Sequence, residues 1–400
     1  MKNELGNQLV CTVRRGERIE GYVVIDSTVG GQACGGLRML PDIDEAEMRD
    51  LAQAMTLKYG LLGMPRGGAK AGIRADPQAP PAERKRRLTW FGQAIAPLLQ
   101  QRLYVPGPDM GTDSEDIRIL LEAAGLRVGR REQRSVRSGH YTALTVFTSI
   151  DRAAEHLDLL LAGSRAAIEG FGKVGSALAQ MLDRAGVKVV AISTTQGAIY
   201  NPNGLNVPQL TQLASSVGDD VVTQTPDTER IPLPQLLKLP VDFLCPCARH
   251  DTIRLDNAPR VAARAICPGA NNPLTPAAEQ SLLERGVLCL PDFVTNCGGV
   301  LGGTMEFASL SVEQIAALIE NQIGPRIDGF IAEAERRGTS PRAVATEFAL
   351  DRFQVIAQAA ARPTPLNWLF DVGLDLYRRG WIPAPLVASL SLAYFERCLA

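Results

Sequence analysis

The chain has 400 residues, of which 46% are hydrophobic and 21% charged, so it can bury a sizeable core and is not typical of a disordered protein. Its formal net charge of -1 gives no electrostatic case for a nucleic-acid or membrane-surface partner, and no run reaches the roughly 18 apolar residues that span a bilayer. The N-terminus lacks the apolar region of a signal peptide, so we expect a cytoplasmic protein. The 8 cysteines, with only 3 histidines, disfavour a metal site and are expected to be reduced thiols. The length suggests two or three domains.

The first part of the chain, residues 1–138, alternates short strand-like runs with helical patterns and predicts one α/β domain. The run Gly21–Ile25 is typical of a strand. Asp44 and Glu47 have the spacing of a capping box, and the apolar residues that follow recur at helical spacing, which predicts a helix. The arginine-rich segment Gly129–Arg134 is expected to be a solvated linker or loop.

The middle part, residues 139–330, has the pattern of a doubly wound α/β domain. Short apolar runs separated by helical stretches are typical of buried parallel strands. These runs are Ala166–Glu169, Val187–Ser193, Val241–Cys245, Ala265–Cys267 and Val287–Leu290. After residue 310 the pattern is helical, and Ser340 followed by Pro341 predicts the start of a helix that ends near Gln358. Residues 331–400 are expected to form a helical segment that packs back on the first domain.

A glycine-rich segment with G-x-G-x-x-G spacing follows the first of these strand candidates. In such a loop the first glycine permits a tight turn, the second lets a pyrophosphate approach the backbone, and the third brings helix and strand together. Because strand, turn and helix are all present, a dinucleotide site is favoured over a purely structural turn. The predicted cofactor-binding residues of the loop are Gly170, Phe171, Gly172, Lys173, Val174 and Gly175.

The acidic residue that usually binds the adenine ribose is missing from this pattern. It is expected about 20 residues after the loop, at the end of the next strand. Residues Ser193–Gln196 occupy that place and contain no carboxylate, and no arginine stands there to indicate a 2′-phosphate. The choice between NAD and NADP therefore stays open.

Two lysines and an aspartate are candidates for acid–base chemistry. Only 7 of the 42 basic residues are lysines, so a retained lysine suggests a need for an amine that can lose its proton. Lys58 borders an apolar helix stripe, where a lysine usually buries only its stem. Lys70 lies in a glycine-rich segment that predicts a turn with little shelter, and Asp109 in a Pro/Gly-rich segment typical of turns. Together a lysine and a nearby carboxylate can form an acid–base pair.

The order of these motifs resembles the glutamate/leucine/phenylalanine/valine dehydrogenases over most of residues 30–355. The matching segments are Gly35–Met39, Met55–Lys58, Gly67–Lys70, Pro108–Thr112, Tyr141–Ala143, the glycine-rich loop, Gly269–Asn272 and Pro291–Val300. The resemblance implies that the first domain binds substrate and forms a homo-oligomer, and that the second is a Rossmann domain for NAD or NADP. It implies oxidative deamination of an L-amino acid to its 2-oxo acid and ammonia, or the reverse.

The resemblance also implies a role for each matching residue. Lys58 would bind the substrate α-carboxylate, Lys70 would have a lowered pKa and activate water, and Asp109 would move protons to and from the amino group. Thr142 would hold the nicotinamide carboxamide, and Asn296 would lie close to nicotinamide and substrate. Further expected contacts are Gly36, Cys34 and Gly303 for the substrate, and Thr194, Ala248 and Asn271 for the cofactor.

The side-chain pocket favours a non-acidic substrate. In glutamate enzymes the residue before G-G-x-R is typically a lysine that pairs with the side-chain carboxylate, whereas here it is Cys34. The serine that assists this lysine is replaced by Gly303. A glutamate side chain would then be buried poorly paired, at a cost on the order of several kcal/mol. The segments Cys245–Ala248 and Tyr104–Asp116 look like the leucine/phenylalanine/valine branch, so we expect an apolar or aromatic L-amino acid.

Three other interpretations stay open. One is a glutamate dehydrogenase with an atypical pocket. Another is hydroxy-acid dehydrogenation, which normally wants a histidine base and has only His140, His156 and His250 as candidates. The third is a catalytically silent dinucleotide-binding homologue, which the joint presence of two lysines and an aspartate argues against.

Overall fold

The computed structural model describes residues 9–127, 137–361, 372–374 and 376–399, so the predicted loop Gly129–Arg134 lies outside the described residues. The chain divides into two units. The first comprises Met1–Val136, Phe307–Ser309 and Phe348–Cys398, and the second Arg137–Glu306, Leu310–Glu347 and Leu399–Ala400.

The strands of both units are numbered in chain order. They are β1 (Leu9–Arg15), β2 (Arg18–Ile25), β3 (Ala33–Leu40), β4 (Gly67–Arg74), β5 (Tyr104–Pro108), β6 (Arg165–Glu169), β7 (Lys188–Thr194), β8 (Gly197–Tyr200), β9 (Glu229–Ile231), β10 (Phe243–Pro246), β11 (Ala265–Ile266) and β12 (Leu288–Cys289).

The α-helices are numbered in the same way. They are α1 (Glu45–Leu61), α2 (Pro81–Ala94), α3 (Ala96–Gln100), α4 (Ser114–Ala123), α5 (Ser138–His156), α6 (Lys173–Arg184), α7 (Val207–Val217), α8 (Val221–Gln224), α9 (Leu233–Leu236), α10 (Pro276–Glu284), α11 (Asp292–Thr295), α12 (Gly298–Phe307), α13 (Val312–Leu318), α14 (Gly324–Arg337), α15 (Pro341–Ala360) and α16 (Ala384–Leu399). A π-helical turn, Ile319–Ile323, separates α13 from α14. No helix among the described residues combines the length and apolar character that a bilayer crossing requires.

The first unit contains a five-stranded sheet in the order β1-β2-β4-β3-β5. Strand β4 pairs antiparallel with β2 and parallel with β3, and β3 pairs parallel with β5. Successive side chains of β2 point to opposite faces, as a pleated strand requires. Val23 and Ile25 join an apolar cluster that includes Phe91 of α2, while Tyr22 and Val24 join one that includes residues of α1. Helix α1 therefore covers one face of the sheet and α2 the other.

Helix α1 begins where the sequence predicts. The Asp44 carboxylate accepts a hydrogen bond of 2.8 Å from the Glu47 backbone N–H, which satisfies one of the free donors of the first turn. Met48, Leu51 and Met55 are buried at the predicted helical spacing. The Glu47 side chain accepts a hydrogen bond from Arg38 of β3, so this glutamate also ties the helix to the sheet.

The second unit contains a seven-stranded sheet in the order β12-β11-β10-β6-β7-β8-β9. Strands β6, β7, β10, β11 and β12 are parallel to their neighbours in this set, and each overlaps one of the predicted apolar runs. The sheet order reverses at β6, which lies between β7 and β10. In such sheets ligands bind outside the carboxyl ends of the strands at this reversal. The fold thus confirms the predicted doubly wound domain and places its binding edge after β6, β7 and β10.

The last part of the chain is helical, as predicted. Helix α15 begins at Pro341, and the Ser340 hydroxyl accepts a hydrogen bond of 3.2 Å from the Ala343 backbone N–H. The helix ends at Ala360, close to the predicted end. Residues Phe348–Cys398 group with the first unit, where Ala349 and Phe353 of α15 lie against Gly60 of α1. The small Gly60 is required because a Cβ there would lie 2.1 Å from the Ala349 carbonyl oxygen.

Candidate active site

Lys70 lies within strand β4, so the predicted turn at this position is wrong. The glycines before it serve close packing instead of chain reversal. A Cβ at Gly68 would lie 2.3 Å from the Thr56 backbone nitrogen, so only glycine lets α1 lie this close to the strand. Ala69 and Ala71 belong to the apolar cluster on the α2 side, so the Lys70 side chain points to the α1 side. It is buried there, with 1% of its side chain exposed.

Lys70 forms an ion pair with Asp109, which follows directly after β5. Strand β3 lies between β4 and β5, so the two side chains must meet over β3. Gly36 of β3 lies directly at the place where the two side chains meet, because a Cβ there would lie 2.6 Å from Asp109 Oδ2. The predicted substrate residue Gly36 therefore has a structural role that the spacing alone did not indicate: its missing side chain makes room for the acid–base pair.

Asp109 is held by several donors besides Lys70. Arg38 Nε donates to Oδ1 at 3.1 Å, and the Met110 backbone N–H donates to the same oxygen at 2.6 Å. The Thr112 hydroxyl accepts from the Asp109 backbone N–H at 2.9 Å and donates to the Leu37 carbonyl at 2.7 Å, which anchors the segment to β3. Asp109 is therefore fixed in position by its own backbone as well as by two cations.

Burial and neighbouring charges give Asp109 and Lys70 pKa values that both differ from their ordinary ones. Burial alone would raise the pKa of Asp109, but Lys70 and Arg38 hold that pKa well below its ordinary value, so the carboxylate is ionised. Burial lowers the pKa of Lys70, the Asp109 charge opposes this, and the Arg38 charge lowers the pKa further. The result is a lysine whose pKa lies below its ordinary value beside a carboxylate that is ionised at rest. Such a lysine can exchange a proton closer to neutral pH than a free one.

Lys58 lies in the last turn of α1 and is buried, with 4% exposed. Because α1 covers the face of the sheet to which Lys70 points, the structure places both lysines on the same side of the sheet. An ammonium group at this depth is far less solvated than on a protein surface, and such a position favours a stable anionic partner. The interpretation of a lysine that merely buries its stem therefore does not account for Lys58.

Cys34 lies on β3 opposite Gly68 of β4. Burial raises the pKa of its thiol, while the Arg66 charge, a hydrogen bond with Tyr59 and the Arg378 charge oppose the rise. The thiol is therefore neutral at pH 7. Arg66 is oriented beside it by a 3.0 Å hydrogen bond from Nη1 to the Gln32 side-chain oxygen.

The two arginines near Cys34 were not predicted. Arg66 could have been noticed, since it directly precedes the Gly67-Gly68 pair of the matching motif. Arg378 carried no local signal, because it is distant in the chain from every motif and its charge acts on Cys34 only through the fold.

In the second unit, the glycine-rich loop joins β6 to α6 as predicted. Gly170 has a φ of 97°, which favours glycine, and a Cβ at Gly175 would lie 1.8 Å from the Gly170 carbonyl oxygen. A Cβ at Gly172, in contrast, would meet nothing within 4 Å, and Gly172 offers no side chain to cap α6. The first and third glycines thus permit the turn, and the second leaves open space beside free helix N–H groups. This cradle fits a dinucleotide pyrophosphate.

The remaining loop residues differ in exposure. Phe171 is buried, Val174 is half-buried, and Lys173 is exposed at the first turn of α6. An exposed lysine at a helix N-terminus can approach a phosphate but has no structural duty that would require it there.

Two predicted cofactor residues lie at the same edge of the sheet. Thr194 ends β7, and Ala248 follows β10, where its backbone N–H donates to the Glu169 side chain at 3.4 Å. Burial raises the pKa of Glu169 to about 7, against hydrogen bonds from Ala248 and Thr252 that lower it. The Gly170 backbone N–H donates to the Ser193 hydroxyl at 3.0 Å, which ties the loop to β7.

The nicotinamide end of the predicted site is built around Asn296. Its side-chain nitrogen donates to the Ala270 carbonyl at 2.8 Å and to the Asn271 side-chain oxygen at 3.1 Å. The Asn296 side-chain oxygen is buried and has no hydrogen-bond partner among the described residues, so a ligand donor would satisfy it. The structure thus brings two of the predicted residues, Asn271 and Asn296, into contact.

Thr142 and Gly303 occupy the helices of the same unit. Thr142 lies in α5 and donates to the Ser138 carbonyl at 2.8 Å, and a Cβ at Gly299 of α12 would lie 2.5 Å from its hydroxyl oxygen. The start of α12 therefore packs closely on Thr142. Gly303 lies further along α12 and is half-buried.

A buried ion network that was not predicted supports the Gly269–Asn272 loop. Asp292 is fully buried and accepts from the Asn272 backbone N–H at 2.9 Å and from Arg342 at 2.7 Å. Arg342 also donates to Glu279. Asp292 lies in the matching motif, but its partner Arg342 is 50 residues further along and carried no local signal.

Comparison with known proteins gives a consistent result. Residues 7–124 match the protein family "Glu/Leu/Phe/Val dehydrogenase, dimerisation domain". Residues 135–361 match the family "Glutamate/Leucine/Phenylalanine/Valine dehydrogenase". The NAD-specific glutamate dehydrogenase of Staphylococcus aureus (strain COL) is 34% identical over 292 residues, which are 70% of each chain. The NADP(+)-dependent glutamate dehydrogenase of Pyrobaculum calidifontis is 33% identical over 306 residues, 73% of each chain.

A solved structure agrees with these matches. The hetero-hexameric glutamate dehydrogenase from Thermus thermophilus, in its leucine-bound form, superposes with a TM-score of 0.76 at 26% identity, covering 90% of this chain and 91% of that one. The family matches together span both units, and the motifs that carry the resemblance lie within them. The chain therefore belongs to the glutamate/leucine/phenylalanine/valine dehydrogenase family, and it is an amino-acid dehydrogenase that uses NAD or NADP.

Proposed function

We propose that the enzyme oxidatively deaminates a non-acidic L-amino acid, apolar or aromatic, to its 2-oxo acid and ammonia, or catalyses the reverse reductive amination. The observation that carries this proposal is Cys34, whose neutral thiol stands where glutamate enzymes of the family keep a lysine. A neutral, half-buried side chain accommodates an apolar group without leaving a charge unpaired. The resemblance also aligns Gly303 with the serine that assists this lysine in glutamate enzymes, so the second polar group for a substrate carboxylate is missing as well.

The proposed chemistry uses the first unit for the amino acid. The Lys58 ammonium pairs with the substrate α-carboxylate. Asp109 takes a proton from the substrate amino group, so that the Cα–H bond can break. The dinucleotide, when bound, supplies the hydride acceptor, and the substrate becomes an imine.

Hydrolysis of the imine completes the proposed reaction. Lys70, in its neutral form, accepts a proton from water while the water oxygen attacks the imine carbon. Asp109 returns a proton to the nitrogen and then accepts the proton of the new hydroxyl group as the C–N bond breaks, so that ammonia and the 2-oxo acid are released. Arginine could bind a carboxylate but could not accept this proton near neutral pH, so the chemistry requires lysine at position 70.

A second candidate, glutamate dehydrogenation, is favoured by one observation. The charges of Arg66 and Arg378 act on Cys34, so positive charge is present near the position of the missing lysine although it comes from other elements. The relatives named above are also glutamate dehydrogenases. If a guanidinium reaches the substrate side chain, a carboxylate there would be paired after all.

A substrate panel separates the two candidates. Purified enzyme is incubated with each common L-amino acid and either NAD or NADP, and reduced nicotinamide is measured by absorbance. Turnover with leucine, valine, phenylalanine or tryptophan supports the proposal. Turnover with glutamate alone contradicts it and supports the second candidate, in which case Arg66→Leu should lower kcat/KM for glutamate while the surface variant Arg49→Gln does not. Silence across the panel would favour either a rare substrate outside the panel or a catalytically silent dinucleotide-binding homologue.

We also infer that the enzyme is a homo-oligomer. The match of residues 7–124 to a dimerisation domain supports this inference. Light scattering coupled to size-exclusion chromatography would measure the mass in solution, and a mass equal to one chain would contradict it.

A further inference from the structure

The carboxyl end of β7 is the position at which a Rossmann domain reads the adenine ribose. A carboxylate there binds the ribose hydroxyls of NAD, whereas a cation accommodates the 2′-phosphate of NADP. In this chain β7 ends at Thr194, and neither Thr195 nor Gln196 supplies a charge. The strand itself therefore leaves the cofactor choice undecided.

The fold brings a carboxylate to this position from a later segment. After α7 the chain makes a 3-10 turn, Gly218–Asp220, that returns to the end of β7. The Thr194 hydroxyl donates to the Asp219 backbone carbonyl at 2.7 Å, and the Thr195 hydroxyl donates to the Asp219 carboxylate. Both threonines at the strand end are thus bonded to one aspartate.

The position of this aspartate is determined by the residues around it. Gly218 has a φ of 60°, a left-handed conformation that favours glycine, and it turns the chain out of α7. Val221 and Val222 follow and are almost completely buried, so they anchor the turn from the other side. Asp219 therefore has a defined place, although its side chain is exposed.

The charge on Asp219 is not neutralised by the protein. Among the described residues it forms no ion pair, and the groups that contact its carboxylate and carbonyl are neutral hydroxyls. A free carboxylate can accept hydrogen bonds from ribose hydroxyls, while it repels a 2′-phosphate at the same distance.

We propose that Asp219 selects NAD over NADP by taking the place of the acidic residue that is absent from the end of β7. The proposal rests on the dinucleotide-binding part of the function above and adds the residue that discriminates between the two cofactors. It assigns this role to a side chain more than 40 residues beyond the glycine-rich loop, whereas the usual acid lies about 20 residues on.

The test is equilibrium binding, which does not depend on turnover. Purified full-length enzyme is titrated with NADH and with NADPH, and the nicotinamide fluorescence gives each Kd. The wild type should bind NADH more tightly, by roughly tenfold or more, because a 2′-phosphate would meet the unneutralised carboxylate. Asp219→Asn keeps the hydrogen-bond acceptor for Thr195 but removes the charge. It should lower the ratio of the NADPH Kd to the NADH Kd by about tenfold, mainly through tighter NADPH binding.

Asp220→Asn is the matched control. It removes the same charge from the neighbouring residue of the same turn, whose side chain does not bond Thr195 among the described contacts. Its ratio of the NADPH Kd to the NADH Kd should stay close to that of the wild type, and thermal melts of both variants should match the wild type. Preferential NADPH binding by the wild type, or an unchanged ratio in Asp219→Asn, would overturn the assignment while leaving the dehydrogenase function intact. Failure of both cofactors to bind the wild type would overturn both.

Discussion

Lys70 of β4 and Asp109, which directly follows β5, form an ion pair over Gly36 of β3, the strand between them. The pair exists because Gly36 has no side chain. Two glycines that are paired in neighbouring strands but have different surroundings therefore allow a direct test of this relationship.

Gly36→Ala should lower kcat/KM by about 100-fold or more, since its Cβ would lie 2.6 Å from Asp109 Oδ2 and must displace the carboxylate. Gly107→Ala is the control. Gly107 pairs with Gly36 in the sheet, and a Cβ there would meet nothing within 4 Å, so its activity should stay near that of the wild type. Steady-state kinetics with circular-dichroism melts would check this, and equal activity of the two variants would show that the pair is not needed.

Lys70→Ala should abolish turnover, because it removes the amine that accepts the proton of the attacking water, and the neighbouring Arg38 keeps its charge and cannot replace it. Cofactor affinity should be unchanged, since the dinucleotide loop lies in the second unit. Lys85→Ala, on the exposed surface of α2, is the control and should be fully active. Turnover by Lys70→Ala at more than a few per cent of the wild-type rate would remove the proposed mechanism.

Arg38→Gln should move the pH profile of kcat/KM to higher pH. The Arg38 charge lowers the pKa of Lys70, so its removal raises that pKa, and the neutral lysine then forms only at higher pH. The shift should be on the order of one pH unit. Arg38→Lys keeps a charge in the same place, and its profile should stay close to that of the wild type. A profile that moves equally in both variants would indicate that geometry, not charge, is responsible.

Glu169→Gln should stabilise the protein above neutral pH. In the folded protein burial raises the pKa of Glu169 to about 7, above its ordinary value of 4.5, so the folded state holds the proton more tightly than the unfolded state. Stability therefore falls as the pH rises from 4.5 to 7, and the loss is complete above 7. Removing the titration should recover roughly 3 kcal/mol at pH 8 and almost nothing at pH 4.

Urea denaturation at the two pH values would measure this difference in the free energy of unfolding. Glu229→Gln, at an exposed position on β9, is the control and should show no pH-dependent gain. A gain for Glu169→Gln that is the same at both pH values would show that packing, not ionisation, is responsible.

Much of the fold could be predicted from local patterns. The apolar runs that became β6, β7, β10, β11 and β12, the capped helix α1, the start of α15 and the glycine-rich loop are all properties of short segments. Their signals are hydrophobic periodicity, helix capping and the φ freedom of glycine, which act between residues close in the chain. The family and its lysine–aspartate set followed from motifs of the same short range.

The sequence by itself determined these elements and identified the candidate acid–base residues, and the tertiary structure decided their surroundings. Lys70 lies in a strand because its glycines pack against α1, a contact that no local turn signal reports. The Arg378 charge acts on Cys34, and Asp219 is bonded to Thr195, although each comes from a segment far along the chain. Which distant side chains share a site depends on the order of strands in the sheet and on the path of the connections between them. That order is set by the burial of whole elements, so no short motif contains it.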